Sequence, residues 1–298
     1  MVSSIINKAR SLGFVSVGIS RPETPLFFDR FREWIAAGNQ ADMHWMEKHL
    51  DLREDPGKLL DGCKTIISLA YPYSSTKPLT SDGFSVARYT EPGKIDYHDR
   101  LKKLAKGLAE SILEQHPGCR TRICVDSAPI LERSFACASG IGFIGKNNAL
   151  IIPGHGSYVF LAEILTTAQM PQPDIRSMEN QCGSCDLCLK ACPAGALEAP
   201  YSLNASKCLS YLTIEHKGEI RSPGVEKMGN CFFGCDVCQE VCPFNEDVSS
   251  KEILLPSTDE VLGMEEKAFK TLFGKTAFNR AGLNKLKSNI KAVKAKNF

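Results

Sequence analysis

Nine of the thirteen cysteines fall between residues 182 and 242, and their spacing is that of metal ligands. Cys182-x2-Cys185-x2-Cys188-x3-Cys192-Pro193 is the bacterial run that holds [4Fe–4S] clusters. Three closely spaced thiolates reach three corners of one cubane, and the fourth, before the proline, turns away to ligate another. Cys235-x2-Cys238-x3-Cys242-Pro243 ends the same way, but Phe232 stands where the full run has a further cysteine. Cys208 and Cys231 are the available replacements. Cys231 sits one position off the usual spacing, whereas Cys208 lies between the motifs, where a loop or helix can return it. The favoured assignment is Cys182, Cys185, Cys188 and Cys242 on one cluster, and Cys192, Cys208, Cys235 and Cys238 on the other. Zinc is the alternative for any CxxC pair, but two CxxCxxxCP endings favour clusters. A disulfide scaffold belongs to small secreted chains. Cys63, Cys119, Cys124 and Cys137 lack ligand spacing and read as small buried apolar residues in a reducing compartment.

Two further patterns bear on chemistry. Gly140-x-Gly142-x-x-Gly145 matches the dinucleotide fingerprint in letters only. The fingerprint needs a strand before it and a helix after it. Here Ile130 to Ser139 reads as helix and Ala149 to Ile152 as strand, so the glycines serve a turn or a close backbone approach. Asp126 follows the strand-like Arg122–Val125 and precedes Ser127-Ala128-Pro129. From pattern alone it is a helix N-cap with Pro129 in the first turn. A cap lowers a carboxyl pKa, whereas a general acid needs it raised.

The elements that must position these residues alternate along the first 170 residues. Phe14–Ile19, Thr65–Ala70, Arg122–Val125 and Tyr158–Leu165 read as strands. From His98 to His116, Leu101, Leu104, Leu108 and Ile112 share one helical face, and Pro117-Gly118 ends it. This predicts an α/β (α+β) layered domain. The chain turns Pro-rich and polar between Ala168 and Gln181, which places domains at 1–172, 173–250 (ferredoxin-like, two clusters) and 251–298 (a basic helical segment on the body). With 298 residues, 43% of them hydrophobic, the chain can bury one large core or a medium and a small one. The net charge of +2 selects no partner. No apolar run is long enough to span a membrane, and the start lacks the pattern of a signal peptide, so a cytoplasmic location is expected.

Several runs together resemble the epoxyqueuosine reductases. They are Val125-Asp126-Ser127-Ala128-Pro129-Ile130-Leu131-Glu132-Arg133, Gly140-Ile141-Gly142-Phe143-Ile144-Gly145-Lys146-Asn147, Arg88-Tyr89, Asp96-Tyr97-His98 and Met43-His44-Trp45-Met46. Cys208-Leu209-Ser210-Tyr211-Leu212-Thr213-Ile214-Glu215, Met228-Gly229-Asn230 and Asn279-Arg280-Ala281-Gly282 through Ser288-Asn289 extend the likeness over nearly the whole chain. The resemblance implies an N-terminal cobalamin-binding domain, similar in its core to reductive dehalogenases, beside a domain with two [4Fe–4S] clusters. It implies reduction of epoxyqueuosine to queuosine in the tRNA anticodon loop, the last step of making that base. It also favours Cys208 over Cys231 as the eighth ligand, and it makes Asp126 the proton donor facing the substrate. Lys48, Leu150, Leu161, Ser210 and Asp236 fall at cobalamin contacts, with Lys48 where relatives often carry arginine. Asp96, Tyr97 and His98 would line the substrate side.

The implied reaction takes two electrons and two protons. Single electrons pass through the clusters to cobalt, and Asp126 gives a proton as oxygen leaves as water. No Asp-x-His-x-x-Gly motif occurs, because Leu101 stands where its glycine would be, so no histidine is expected on the lower face of cobalt. The expected partners are tRNA and an external one-electron donor such as a flavodoxin or ferredoxin, with the chain a monomer. The chain ends at Phe298, short of the helical-repeat extension of longer members. Residues 267–298 carry nine Lys or Arg and no acid. Leu283, Leu286, Ile290 and Val293 form a docking stripe, leaving Lys285, Lys287, Lys291 and Lys294 to face phosphates. The alternatives are a reductive dehalogenase-like corrinoid enzyme on a small molecule, and a plain iron–sulfur electron carrier. Respiratory dehalogenases carry a twin-arginine signal, which is absent here.

Overall fold

The computed structural model describes residues 2–172, 177–245 and 252–296. The boundaries expected after 172 and after 250 adjoin residues outside that set. The four expected strands form one sheet, in the order Ser16–Ser20, Thr65–Pro72, Val159–Thr166, Thr121–Cys124. Every pairing in it is antiparallel, so the layers are those of a mixed α+β fold. The two inner strands are buried on both faces, which is why they read as continuous apolar runs.

Alternation divides each inner strand between two layers. Ile67, Leu69, Ala162 and Ile164 face the helices Val2–Ser11 and Tyr97–Gln115, where Ile5, Leu101, Leu108 and Ile112 are fully buried. Replacing such a leucine by alanine costs about 2–5 kcal/mol. Ile66 and Leu165 face the other way, onto Phe135 of the helix Glu132–Ala138. Asp96 caps the long helix by accepting from the His98 amide at 2.9 Å. That cap fixes where Tyr97 and His98 leave the backbone.

The glycine pattern lies between the helix Glu132–Ala138 and a hairpin of Phe143–Ile144 with Leu150–Ile151. The order is helix then strand, as read from the sequence. A β-carbon on Gly142 would stand 2.2 Å from the Ile151 carbonyl oxygen, so only glycine permits this approach.

A second four-stranded sheet joins distant parts of the chain, in the order Cys231–Phe233, Ser85–Val86, Leu79–Thr80, Leu254–Leu255. Around it Val86, Phe233, Phe269, Phe278, Leu286 and Ile290 form one apolar cluster. The helix Gly282–Ala295 docks through Leu283, Leu286, Ile290 and Val293, the stripe read from the sequence. Two of its lysines do not face outward freely: Lys285 donates to the Gly218 carbonyl at 2.9 Å and Lys294 to Asp259 at 2.5 Å. Their long stems reach acceptors on neighbouring segments, whereas Lys291 stays exposed and Lys287 partly so. Among the described residues no helix is long and apolar enough to cross a membrane.

Candidate active site

Asp126 follows the strand Thr121–Cys124 in the left-handed region, at φ 52°. It is not a helix cap. The helix begins at Glu132 with Leu131 at the cap, because Ser127 to Ile130 bend before it and leave Pro129 outside the first turn. The Asp126 carboxylate turns instead to His98, whose Nε2 lies 2.9 Å from Oδ2. The other nitrogen, Nδ1, lies 2.6 Å from Asp96 Oδ1. His98 stacks on Tyr97 at 4.0 Å, and Tyr97 lies flat on Phe160 at 4.3 Å and 3°. Half of the Asp126 side-chain surface is open.

Charge decides the protonation. Burial pushes His98 down, but its bonds to Asp126 and Asp96 outweigh this and raise it to about 9. Burial pushes Asp126 up, but the His98 hydrogen bond and charge, with help from Tyr97 and Arg280, hold it below the ordinary carboxylate value. Asp96 is lowered by the same imidazole against its own burial. At neutral pH the array is therefore an imidazolium between two carboxylates. The proton that a general acid needs is stored on His98, one hydrogen bond away from the half-open Asp126. The raised carboxyl expected of an acid acting alone is absent, because a cation sits beside it. Arg280 joins the site while pairing with Glu215 at 2.8 and 3.1 Å, and lies 5.8 Å over the Trp45 ring.

The hairpin next to this sheet grips the cysteine region. Lys146 donates to the carbonyls of Gly183 and Cys185 at 2.6 and 2.7 Å. Asn147 donates to the carbonyl of Cys238 at 3.1 Å. Cys182, Cys185, Cys188 and Cys242 line one cavity with Lys146, Ile151, Leu187 and Phe244. Cys192, Cys208 and Cys235 are each within electrostatic reach of Cys238, as is Cys188 of the first group. Burial pushes the Cys235 thiol up to about 12, with Cys231 and Cys208 adding to it. Four thiolates fit in such a space only around a positive centre, which is what an iron–sulfur cluster provides. Cys231 neighbours Cys235 too, but its Sγ is turned to the carbonyls of Phe233 and Gly234, at 3.6 and 3.4 Å. Among the described residues no three His, Cys, Asp or Glu converge tightly enough to hold a lone ion.

The residues expected at a corrinoid are spread among elements. Leu150 and Leu161 join one apolar cluster, with Ile144 and Val159 partly exposed beside them. This is a wall suited to a flat apolar face. Ser210 lies in the helix Leu209–Ile214. Tyr211 of that helix bonds Asp42 at 2.6 Å and so ties it to the segment that carries Lys48, itself exposed. Asp236 is buried and taken up by Arg88, which donates its amide at 2.8 Å and its guanidinium at 3.3 Å. Arg88 also pairs with Glu240, as does Lys77. Both nitrogens of His98 are engaged by carboxylates. Sequence reasoning missed the role of Arg88 as the partner of Asp236, and the lone acid Glu163 within an apolar strand, a visible anomaly in the letters.

A family model described as a 4Fe–4S double cluster binding domain matches residues 181–245. Another, described as epoxyqueuosine reductase QueG, DUF1730, matches residues 53–127. Epoxyqueuosine reductases of Cellulophaga algicola and Leadbetterella byssophila are 35% and 37% identical, each alignment covering 96% of both chains. That of Gloeobacter violaceus is 40% identical over 72% of this chain and 66% of its own length. The Streptococcus thermophilus epoxyqueuosine reductase structure matches with a TM-score of 0.89 and 28% identity, covering all of this chain and 81% of that one. A structure of epoxyqueuosine reductase with an epoxyqueuosine-modified tRNA stem loop matches at 0.84 and 30%, over 99% and 81%.

Proposed function

This chain belongs to the epoxyqueuosine reductase family, and from that premise we propose how its own residues carry the reduction of epoxyqueuosine to queuosine in the tRNA anticodon loop. Cys182, Cys185, Cys188 and Cys242 hold one [4Fe–4S] cluster, and Cys192, Cys208, Cys235 and Cys238 hold the second. The one cavity shared by the first four thiols supports that division. Lys48, Leu150, Leu161, Ser210 and Asp236 contact a cobalamin; the Leu150–Leu161 wall supports this, and the bond from Arg88 fixes Asp236 in one orientation. When bound, the clusters supply single electrons and the cobalamin supplies the low-valent metal chemistry that reduces the epoxide-bearing ring.

The protein's own work is positional and protic. Asp126 presents its carboxyl to the epoxide oxygen and passes on the proton that His98 stores. Asp96 holds the imidazole in register by binding its other nitrogen, so that Nε2 is aimed at Asp126. Tyr97, flat against Phe160, keeps the imidazole from rotating away. Oxygen leaves as water after two electrons and two protons have been added. The grip of Lys146 and Asn147 on both cysteine motifs sets the cluster domain against this sheet. The division into a catalytic unit over 1–172, a cluster unit over 173–250 and a basic segment over 251–298 describes these roles. The second sheet stitches the three together. The protein acts as a cytoplasmic monomer and draws electrons from a flavodoxin- or ferredoxin-type donor.

The observation that carries this reading is the Asp96–His98–Asp126 array at the end of a strand of the first sheet, together with the hairpin that grips the cysteine region. The test is turnover by anaerobically reconstituted protein of tRNA bearing epoxyqueuosine, read by mass spectrometry of the nucleosides. Conversion to queuosine that needs both the cobalamin and a low-potential reductant is expected. Cobalamin uptake without conversion would point to a small-molecule corrinoid enzyme, and no uptake to an electron carrier; either would overturn the reading.

A further inference from the structure

We propose that Glu132 and Glu163 form a carboxyl pair that holds a single proton and positions Asp126 through its main chain. The inference rests on the reading of Asp126 as the proton donor. Glu132 Oε1 accepts the Asp126 amide at 2.6 Å. Asp126 needs such a latch, because a non-glycine residue at φ 52° sits in a disfavoured region and relaxes unless its surroundings hold it.

Glu163 makes the latch unusual. It lies in the strand Val159–Thr166, fully buried, opposite Ser68 on one neighbouring strand and Cys124 on the other. Neither of its carboxyl oxygens, nor the Ser68 hydroxyl, has a hydrogen-bond donor or acceptor among the described residues. Its carboxyl meets that of Glu132. Two carboxylates in contact cannot both stay ionised without a cation or donors between them. One proton removes the conflict: the O–H of one acid donates to the other.

The surroundings say which acid keeps it. Burial and the charge on Asp126 raise Glu132 above the ordinary carboxylate value, but the Asp126 amide it accepts, Arg133 and Arg53 favour its charge. Among the described residues, Glu163 faces Glu132 and the Cys124 thiol as titratable neighbours, and burial pushes it well above the ordinary carboxylate value. Among the described residues, Asp126, Tyr97 and the Cys124 thiol also bear on Glu132. Glu163 is thus the protonated donor and Glu132 the anionic acceptor of two bonds, one from Glu163 and one from the Asp126 amide. Glu132 is partly buried, whereas Glu163 is fully so.

Three variants of the reconstituted holoenzyme test this. Difference infrared spectra between wild type and Glu163→Gln at neutral pH should contain one carbonyl stretch of a protonated carboxylic acid, contributed by wild type. Hydrogen–deuterium exchange over residues 125–131 should rise about tenfold in Glu132→Ala, stay unchanged in Glu163→Gln, and return towards wild type in Glu132→Gln, whose amide oxygen still accepts. Glu132→Ala should lower kcat by up to about 100-fold through misplacement of Asp126, with KM for tRNA little changed. No acid band lost in Glu163→Gln, or wild-type exchange in Glu132→Ala, overturns the proposal. If Asp126→Asn retains full turnover while the band and the exchange behave as stated, the proton-donor reading fails and the pair stands.

Discussion

Arg88 and Asp236 lie 148 positions apart in the chain and meet through two hydrogen bonds, from the amide and from the guanidinium of the arginine to one carboxylate oxygen. The arginine follows a strand of the second sheet, and the aspartate directly follows the proposed cluster ligand Cys235. Their side chains are only 8% and 4% exposed. The pair therefore locks the second cysteine motif to the catalytic unit.

Removing the Arg88 side chain takes the guanidinium away from the buried Asp236 carboxylate and leaves it the backbone amide of residue 88. Arg88→Met should destabilise the holoprotein by about 3–5 kcal/mol, and Asp236→Asn by less, because the amide remains a hydrogen-bond partner. Anaerobic thermal unfolding of the three proteins measures this. Equal midpoints for wild type and Arg88→Met would refute it.

The eight assigned cysteines should divide by iron content. Cys242→Ser should lose the cluster shared with Cys182, Cys185 and Cys188, and Cys208→Ser the other, each leaving about four irons in place of eight. Cys231→Ser should keep both. Iron analysis with electron paramagnetic resonance after reconstitution distinguishes the outcomes.

His98 gives a pH signature of definite sign. Its folded value of about 9 lies above the ordinary 6.5. Its contribution to stability is therefore fully present below about pH 6.5 and lost as pH rises through about 9. Relative to His98→Gln, the wild-type protein should lose on the order of 2 kcal/mol of stability across that interval. The kcat of wild type should fall around pH 9 as the folded-state imidazolium is lost, with that limb absent from the residual activity of the variant.

The C-terminal helix should contribute to tRNA binding through two of its lysines. Lys287→Gln with Lys291→Gln should weaken binding and reduce the salt dependence by about one to two phosphate contacts. Lys285→Gln and Lys294→Gln, already bonded within the protein, should affect folding more than binding. Filter binding at several salt concentrations checks this.

Much of this arrangement was legible in the letters. The four strands of the first sheet were visible because their inner pair is largely apolar, interrupted inside by Ser68 and Glu163. The long helix was visible because Leu101, Leu108 and Ile112 repeat at helical spacing. The two cysteine runs declared their chemistry by spacing alone. The second sheet was invisible: strands of two or three residues carry no period, and their partners lie far away in sequence. Asp126 misled for a physical reason. Its place before Ser127-Ala128-Pro129 has the grammar of a cap, yet the bend delays the helix to Glu132 and frees the carboxylate for His98. The pairing of Arg88 with Asp236 likewise needed the tertiary fold to appear.

The most direct test is a single turnover by prereduced holoenzyme of tRNA bearing epoxyqueuosine, wild type against Asp126→Asn. The account predicts identical cluster and corrinoid spectra, with queuosine formed at least about 100-fold more slowly by the variant. Queuosine formed at the wild-type rate by Asp126→Asn would contradict it.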